Sequence, residues 1–364
     1  MATQVIECGL TCTQGNPYLD QGQKRQLDSA TDRLAKMPLA PLLWVDNTYT
    51  PISMENELPF SCEWEQYPRQ RHVGTEATYS LVCPCPAWHN FYLHGISELL
   101  KNERLKGFYL DMTGYGSCRN RYHGCGYEEN GESLGEVPIL ELRALFLKFW
   151  NVTHLAAPGN LILQHAQVLT PCALWTDVIT QGENWTAAKK GGERGYQTLS
   201  LPYYQLAFMP QRQYGVQFNW FATLNMPTYV HDVKAIVSLE EVVGLSLLHD
   251  NLPIGVTSQQ IPGLVACWNA MKEFGAYEKD CRWSPYWENG LGDWKHGVAV
   301  SYYRRNEGFL VAAFNTSYNE VLTVDLPGGL FGHGTAQNVL TGQEERFHPL
   351  SIRPRKTKML VIRR

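Results

Sequence analysis

The 364-residue sequence is short of charge. Asp, Glu, Lys and Arg make up 18% of it, and the formal net charge is -4. No basic cluster runs along a helix or strand, which argues against a nucleic-acid partner. The cations near the C-terminus (Arg353, Arg355, Lys356, Lys358, Arg363, Arg364) are spread among strand residues and read as a solvated strand face. No stretch of about 18 apolar residues exists, so no membrane span is expected. Residues 1–10 lack a basic segment followed by an apolar run, so no signal peptide is expected. The ten cysteines are too few for a disulfide scaffold in a chain this long, and they show no paired C-x-x-C zinc spacing. A Gly-rich phosphate loop, a G-x-S-x-G nucleophile elbow and internal repeats are also missing.

Aromatic residues are plentiful at 12%, with 11 Trp and 19 Tyr. Their flat faces with a polar handle suit sugar rings, and they also fill cores. The length suits a barrel of roughly 250 residues plus a smaller module.

Eight β-rich runs alternate with helical patterns, which implies a parallel sheet. The runs are 5–11, 41–47, 79–85, 107–113, 161–167, 173–180, 215–221 and 243–250. Helical spacing covers 23–37, 91–105, 138–150, 201–209, 233–239 and 261–274. The expectation is α/β: a (β/α)₈ TIM barrel over 1–275, followed by a C-terminal antiparallel β-sandwich over 276–364. No helix is evident between the fifth and sixth runs.

Barrel active sites lie where the strands end. Asp46, Asp111 and Asp177 each follow an apolar run, His249 and Asp250 end the eighth, and His165 ends the fifth. A lone Asp there is commonplace as a turn cap, but four on one rim point to chemistry. Glycoside cleavage needs two carboxylates, one to attack or activate water and one to protonate the leaving oxygen. Asp111 and Asp177 form the expected pair, with Glu183 as a competing acid whose bland reading is a loop surface residue. Trp44, Tyr109 and Trp220 sit in or at the ends of these runs, where stacking on sugar and core packing are both open.

The loop after Asp111 carries Cys118, Arg119, His123 and Cys125. A Cys118–Cys125 disulfide bracing a substrate loop is the favoured reading in an oxidising compartment, with Arg119 and His123 on sugar hydroxyls. Zinc is open as an alternative, but a full ligand set is not evident nearby. Cys83 and Cys85 read as buried thiols, or as partners of that loop.

GFYLDMTGYGSCRNRYHGCGYEENGE (107–132), VPILELRALFLKFW (137–150), LWTDVITQGENW (174–185) and SLLHDNLP (246–253) together resemble glycoside hydrolase family 123-like proteins, over roughly residues 75–255. The layout is also similar to the α-galactosidase and α-N-acetylgalactosaminidase clan. That resemblance implies Asp111 as nucleophile, Asp177 as acid/base and a C-terminal β-sandwich. The adjacent Asp-Glu pair of substrate-assisted family 123 enzymes is replaced by Asp111-Met112, so their mechanism is not implied.

The expected function is a retaining glycoside hydrolase acting on an oligo- or polysaccharide without metal or organic cofactor. Asp46, Trp44, Tyr109, Arg119, His123, His165, Trp220, His249 and Asp250 are expected around the sugar. One rival is a barrel that binds carbohydrate without catalysis. The other is a metal-dependent hydrolase built on Cys118, His123 and Cys125.

Overall fold

The computed structural model describes residues 2–6, 17–36, 39–51, 57–73, 78–111, 116–165, 173–181, 201–208, 217–220, 238–253 and 258–364. The chain divides into two compact units, Met1–Thr180 and Gln181–Arg364.

In the first unit the elements are β1 (Ala2–Ile6), α1 (Gln21–Leu34), β2 (Leu39–Asp46), β3 (Tyr49–Pro51), α2 (Glu57–Trp64), β4 (Arg71–Val73), β5 (Thr78–Leu81), α3 (Pro86–Leu99), β6 (Gly107–Asp111), β7 (Tyr127–Glu129), β8 (Glu132–Leu134), α4 (Ile139–Ala156), β9 (Leu161–His165) and β10 (Val178–Gln181). Strands β1, β2, β6, β9 and β10 lie side by side in that order, and their pairings are parallel.

Local chemistry sets these elements. Asp20 and Gln23 form a reciprocal capping box that starts α1. Pro86 opens α3, where its missing N–H costs nothing. Leu142, Leu145, Phe146 and Phe149 give α4 one apolar face at helical spacing. That face joins α3 and the residues Leu43, Val45, Phe108, Leu110 and Ile162 in a single core. Each large side chain buried there contributes roughly 1.5–3 kcal/mol. Asn130 and Gly131 turn the β7–β8 hairpin with positive φ at both positions.

Gly107 begins β6 at φ 130°, and a Cβ there would lie 1.8 Å from the Leu161 carbonyl oxygen of the adjacent strand. Gly107→Ala is expected to destabilise the chain by about 3 kcal/mol, read as a lowered midpoint in urea. An unchanged midpoint would contradict this packing.

Two expectations change here. The run at 79–85 yields β5, which pairs antiparallel with β3 and β4 in a separate small sheet. Its alternation of apolar and polar residues fits a short antiparallel strand as well as a parallel one. The run at 173–180 is a strand only from Val178, so Asp177 stands before the strand instead of after it.

The second unit contains α5 (Leu201–Phe208), β11 (Gln217–Trp220), α6 (Leu239–Leu247), α7 (Ile261–Phe274), β12 (Arg282–Ser284), β13 (Val298–Arg305), β14 (Gly308–Asn315), β15 (Leu322–Val324), α8 (Gly328–Phe331), β16 (Thr335–Asn338), β17 (Glu344–Arg346), β18 (Leu350–Ile352) and β19 (Thr357–Arg363). Strands β12, β13, β14, β19, β16 and β17 form an antiparallel sheet in that order. One of its faces packs on the two-stranded β15–β18 layer through Val300, Phe309, Val311, Leu350, Ile352 and Leu360. The other packs on α6 and α7 through Leu310, Ala312, Val243, Leu247, Cys267 and Met271. Every residue of β14 is therefore buried.

The eighth run, 243–250, is helix α6 and its C-terminal turn, not a strand. Apolar residues cover it on all sides because it is buried all round, and such a run carries no helical periodicity to read. The boundary expected at 275/276 falls between α7 and the sheet it packs on. Arg355 is not a solvated cation. It pairs with the buried Glu241 and lies over the rings of Phe314 and Tyr318.

Candidate active site

The side chains of β2, β6 and β9 alternate between two faces. Leu43, Val45, Phe108, Leu110 and Ile162 enter the helix-covered core. Trp44, Asp46, Tyr109, Asp111 and His165 therefore share the opposite face. Pairing registers Trp44 with Tyr109 and Asp46 with Asp111, so these residues gather where the parallel strands end.

Asp111 is the centre of the group. Its Oδ1 accepts from His165 Nδ1 at 3.1 Å and its Oδ2 from Trp44 Nε1 at 3.3 Å. Its side chain is 25% exposed, against 7% for His165. The Tyr109 ring stacks on His165, with centroids 5.8 Å apart. A carboxylate with a donor on each oxygen is held in one orientation, and this one still reaches solvent.

Asp46 is completely buried. Its Oδ1 accepts from the backbone N–H groups of Thr48 at 2.7 Å and Tyr49 at 3.3 Å. Burial holds its carboxyl well above the usual carboxylate range, the charge of Asp111 adds to this, and the two amides pull the other way. Asp46 thus holds its proton to a higher pH in the folded chain than in the unfolded chain, which releases it near pH ~3.9. The folded state is favoured at low pH, and this contribution is lost as pH rises from about 3.9 towards the elevated folded value. Asp46→Asn retains the oxygen acceptor and removes the titration. Relative to wild type, the melting temperature of the variant is expected to rise as pH increases above about 4, towards the elevated folded pKa of Asp46. A constant or shrinking margin would show that Asp46 is ionised when folded. Asp46 lies beside Asp111 in the register of the sheet but has no exposed surface.

Asp177 is not beside Asp111. Its carboxylate accepts from the Ile162 backbone N–H at 2.7 Å and lies 3.3 Å from His154 Nε2. Val178 pairs with Leu163, which places Asp177 level with Ile162 at the start of the strands. Asp111 is level with His165, three residues further along β9. Strand geometry makes that about 10 Å along the sheet, and because the Asp177 carboxylate reaches Ile162 N on β9 it also stands about 4.8 Å, one strand, across from β6, a carboxyl separation of about 11 Å. Catalytic carboxyl pairs in glycosidases stand about 5–9.5 Å apart. The Asp111–Asp177 pair is therefore not assembled, and Asp177 ties two strands together.

His249 is buried in the second unit, and Asp250 beside it is half-buried. His249 Nδ1 donates to the Leu245 carbonyl at 2.7 Å, its Nε2 lies 3.4 Å from the Tyr286 hydroxyl, and burial pushes its pKa down to about 4. Asp250 accepts from the Tyr303 hydroxyl at 2.8 Å. Arg119 donates to the Ser133 carbonyl and lies 5.8 Å from the centre of the Tyr67 ring.

His123 joins Cys83, Cys118 and Cys125, all four ligand atoms lying within 4.8 Å of one another. These cysteines are free thiols, so the expected Cys118–Cys125 disulfide is not formed. Cys83, which the sequence left open as a buried thiol or a partner of that loop, is the member absent from the expected metal set, and it lies 35 positions before Cys118. The only signal was the density of cysteine at 83–85 and 118–125.

Glu183 lies outside the described residues, two positions past the end of β10. Trp220 ends β11, and its side chain also lies outside them.

No protein-family model matches the chain, and no curated protein matches it. Solved structures do. The maltogenic α-amylase AmyB of Thermotoga neapolitana matches with a TM-score of 0.61 at 11% identity, over 94% of this chain and 81% of that one. An α-amylase of Lactobacillus plantarum gives 0.60 at 12% identity, over 93% and 82%. The family 36 α-galactosidase AgaB of Geobacillus stearothermophilus gives 0.60 at 12% identity, over 100% of this chain and 51% of that one. The chain thus spans about half the length of that galactosidase. These neighbours are TIM-barrel glycosidases, and at such identity the likeness is one of fold. They belong to families 13 and 36, and the likeness to family 123 is not among them.

Proposed function

We propose that the chain is a retaining glycoside hydrolase with Asp111 as nucleophile and Glu183 as acid/base. The observation that carries this reading is the Asp111 carboxylate, oriented by Trp44 and His165 at the end of a parallel strand. The fold shared with α-amylases and α-galactosidases supports it. The five parallel strands of the first unit would belong to an eight-stranded (β/α)₈ barrel extending to about residue 275, with the C-terminal sheets as the closing domain.

In the first step Asp111 attacks the anomeric carbon, and the bond to the glycosidic oxygen breaks. The leaving oxygen takes the electron pair and a proton from Glu183. Water then attacks the glycosyl–Asp111 ester, gives its proton to Glu183 and releases Asp111. Moving the acid/base role from Asp177 to Glu183 follows from where the strand ends: Asp177 precedes β10 and Glu183 follows it. Tyr109 offers an aromatic face beside Asp111, and Trp220 and Arg119 remain candidates for sugar contacts in this proposal. The substrate is an oligo- or polysaccharide.

The reading is tested by hydrolysis of a panel of aryl α- and β-glycosides together with oligosaccharides. Turnover of at least one member is expected. Glycan binding without turnover of any member would make the chain a carbohydrate-binding protein.

A further inference from the structure

The cluster around His123 has a composition and geometry that sugar binding does not explain. Cys83, Cys118 and Cys125 are at most 6% exposed. Cys83 Sγ and Cys125 Sγ are 3.6 Å apart, and Cys118 Sγ is 3.3 Å from His123 Nε2. Two thiolates on one tetrahedral zinc, at about 2.3 Å each, stand about 3.8 Å apart. The observed spacing is that of ligands surrounding a single ion.

The surroundings favour the same state of each ligand. His123 Nδ1 donates to the Glu63 carbonyl at 2.7 Å, which directs the lone pair of Nε2 at the sulfurs. Such a second hydrogen bond is the usual partner of a metal-bound imidazole. Cys118 Sγ accepts from the backbone N–H groups of Tyr67 and Asn120, both at 3.4 Å, as a thiolate would. Gly126 has φ 84°, and a Cβ there would strike the Leu134 carbonyl oxygen at 2.6 Å and Arg119 Cα at 2.9 Å. The chain therefore needs glycine to bring Cys125 back towards Cys118. Cys85 is turned aside and donates to the Glu63 carbonyl at 3.1 Å, leaving four ligands.

We propose that Cys83, Cys118, His123 and Cys125 hold one zinc ion in a closed tetrahedral site that fastens the loop following β6 to the chain just beyond β5. Soft thiolates with one imidazole select zinc over magnesium or calcium. Four protein ligands leave no open position for water or substrate, so the ion is structural. Asp111 ends β6, and the fastened loop begins within a few residues of it. The site thus anchors one wall of the rim independently of which reaction takes place there.

The test is the metal content of the full chain, purified under reducing conditions without chelator and then supplied with Zn²⁺ alone. One zinc per chain is expected, and Co²⁺ in its place is expected to give the intense visible absorption of a tetrahedral thiolate site. His123→Ala is expected to weaken zinc binding roughly a hundredfold or more, while His123→Cys, which supplies a fourth thiolate, is expected to keep the ion. Folding of both variants is checked by circular dichroism, so loss of metal is read apart from loss of structure. Failure of folded wild type to take up stoichiometric zinc would overturn the proposal. So would an iron–sulfur cluster at the site, or a native disulfide among Cys83, Cys118 and Cys125 in the mass of the unreduced protein.

Discussion

Asp111→Asn is expected to lower kcat on any glycoside the wild type hydrolyses by roughly ten-thousand-fold or more, with KM little changed. Asparagine keeps the shape, but its single oxygen replaces only one of the two acceptors offered to Trp44 and His165. It lacks the negative charge needed to attack the anomeric carbon. Asp177→Asn is the matched control. It is expected to leave kcat within a few-fold of wild type and to lower stability by about 1–3 kcal/mol, because the acceptor for the Ile162 N–H is weakened. Steady-state kinetics and urea denaturation on the same two variants separate the roles. Equal losses of kcat from both would restore the original carboxylate pair.

Glu183→Gln is expected to show a loss that depends on the leaving group. For a sugar or alkyl leaving group, kcat/KM should fall by about 10²–10⁴-fold, the usual contribution of general acid catalysis. For an activated aryl leaving group that departs without protonation, formation of the glycosyl intermediate should be nearly unchanged, and its slow hydrolysis should then limit turnover. A uniform loss across leaving groups would remove Glu183 from the acid role. The measurement is a series of aryl glycosides of graded leaving-group acidity.

The legibility of the fold followed how far each element is governed by its own residues. Helix α7 lies at 261–274, the range its periodicity indicates, because Leu264, Cys267 and Met271 fall on one buried face. The cores of β2, β6 and β9 also lie inside the apolar runs. Sequence reasoning failed where burial on all sides erased the period, as in α6, and where a strand began later than its run. The second failure had the larger consequence, since starting β10 at Val178 sends Asp177 to the opposite end of the sheet.

The site was legible in the same partial way. Asp111 and His165 were visible at the ends of their runs and Trp44 just before Asp46, and the structure joins the three by hydrogen bonds. Asp46 was visible too, yet its complete burial depends on neighbours distant in sequence. His123 was assigned to sugar because Cys118 and Cys125 lie within a single loop and Cys83 does not. A ligand set divided between distant segments has no regular spacing to detect.

The most direct measurement is trapping with a panel of 2-deoxy-2-fluoro glycosides bearing activated leaving groups. These reagents slow both steps but allow the covalent intermediate to accumulate. The expected result is a mass increase of one fluoroglycosyl unit, mapped by peptide sequencing to Asp111. A label on another carboxylate, or no label from any reagent whose parent glycoside the wild type hydrolyses, would contradict Asp111 as the nucleophile of a retaining glycosidase.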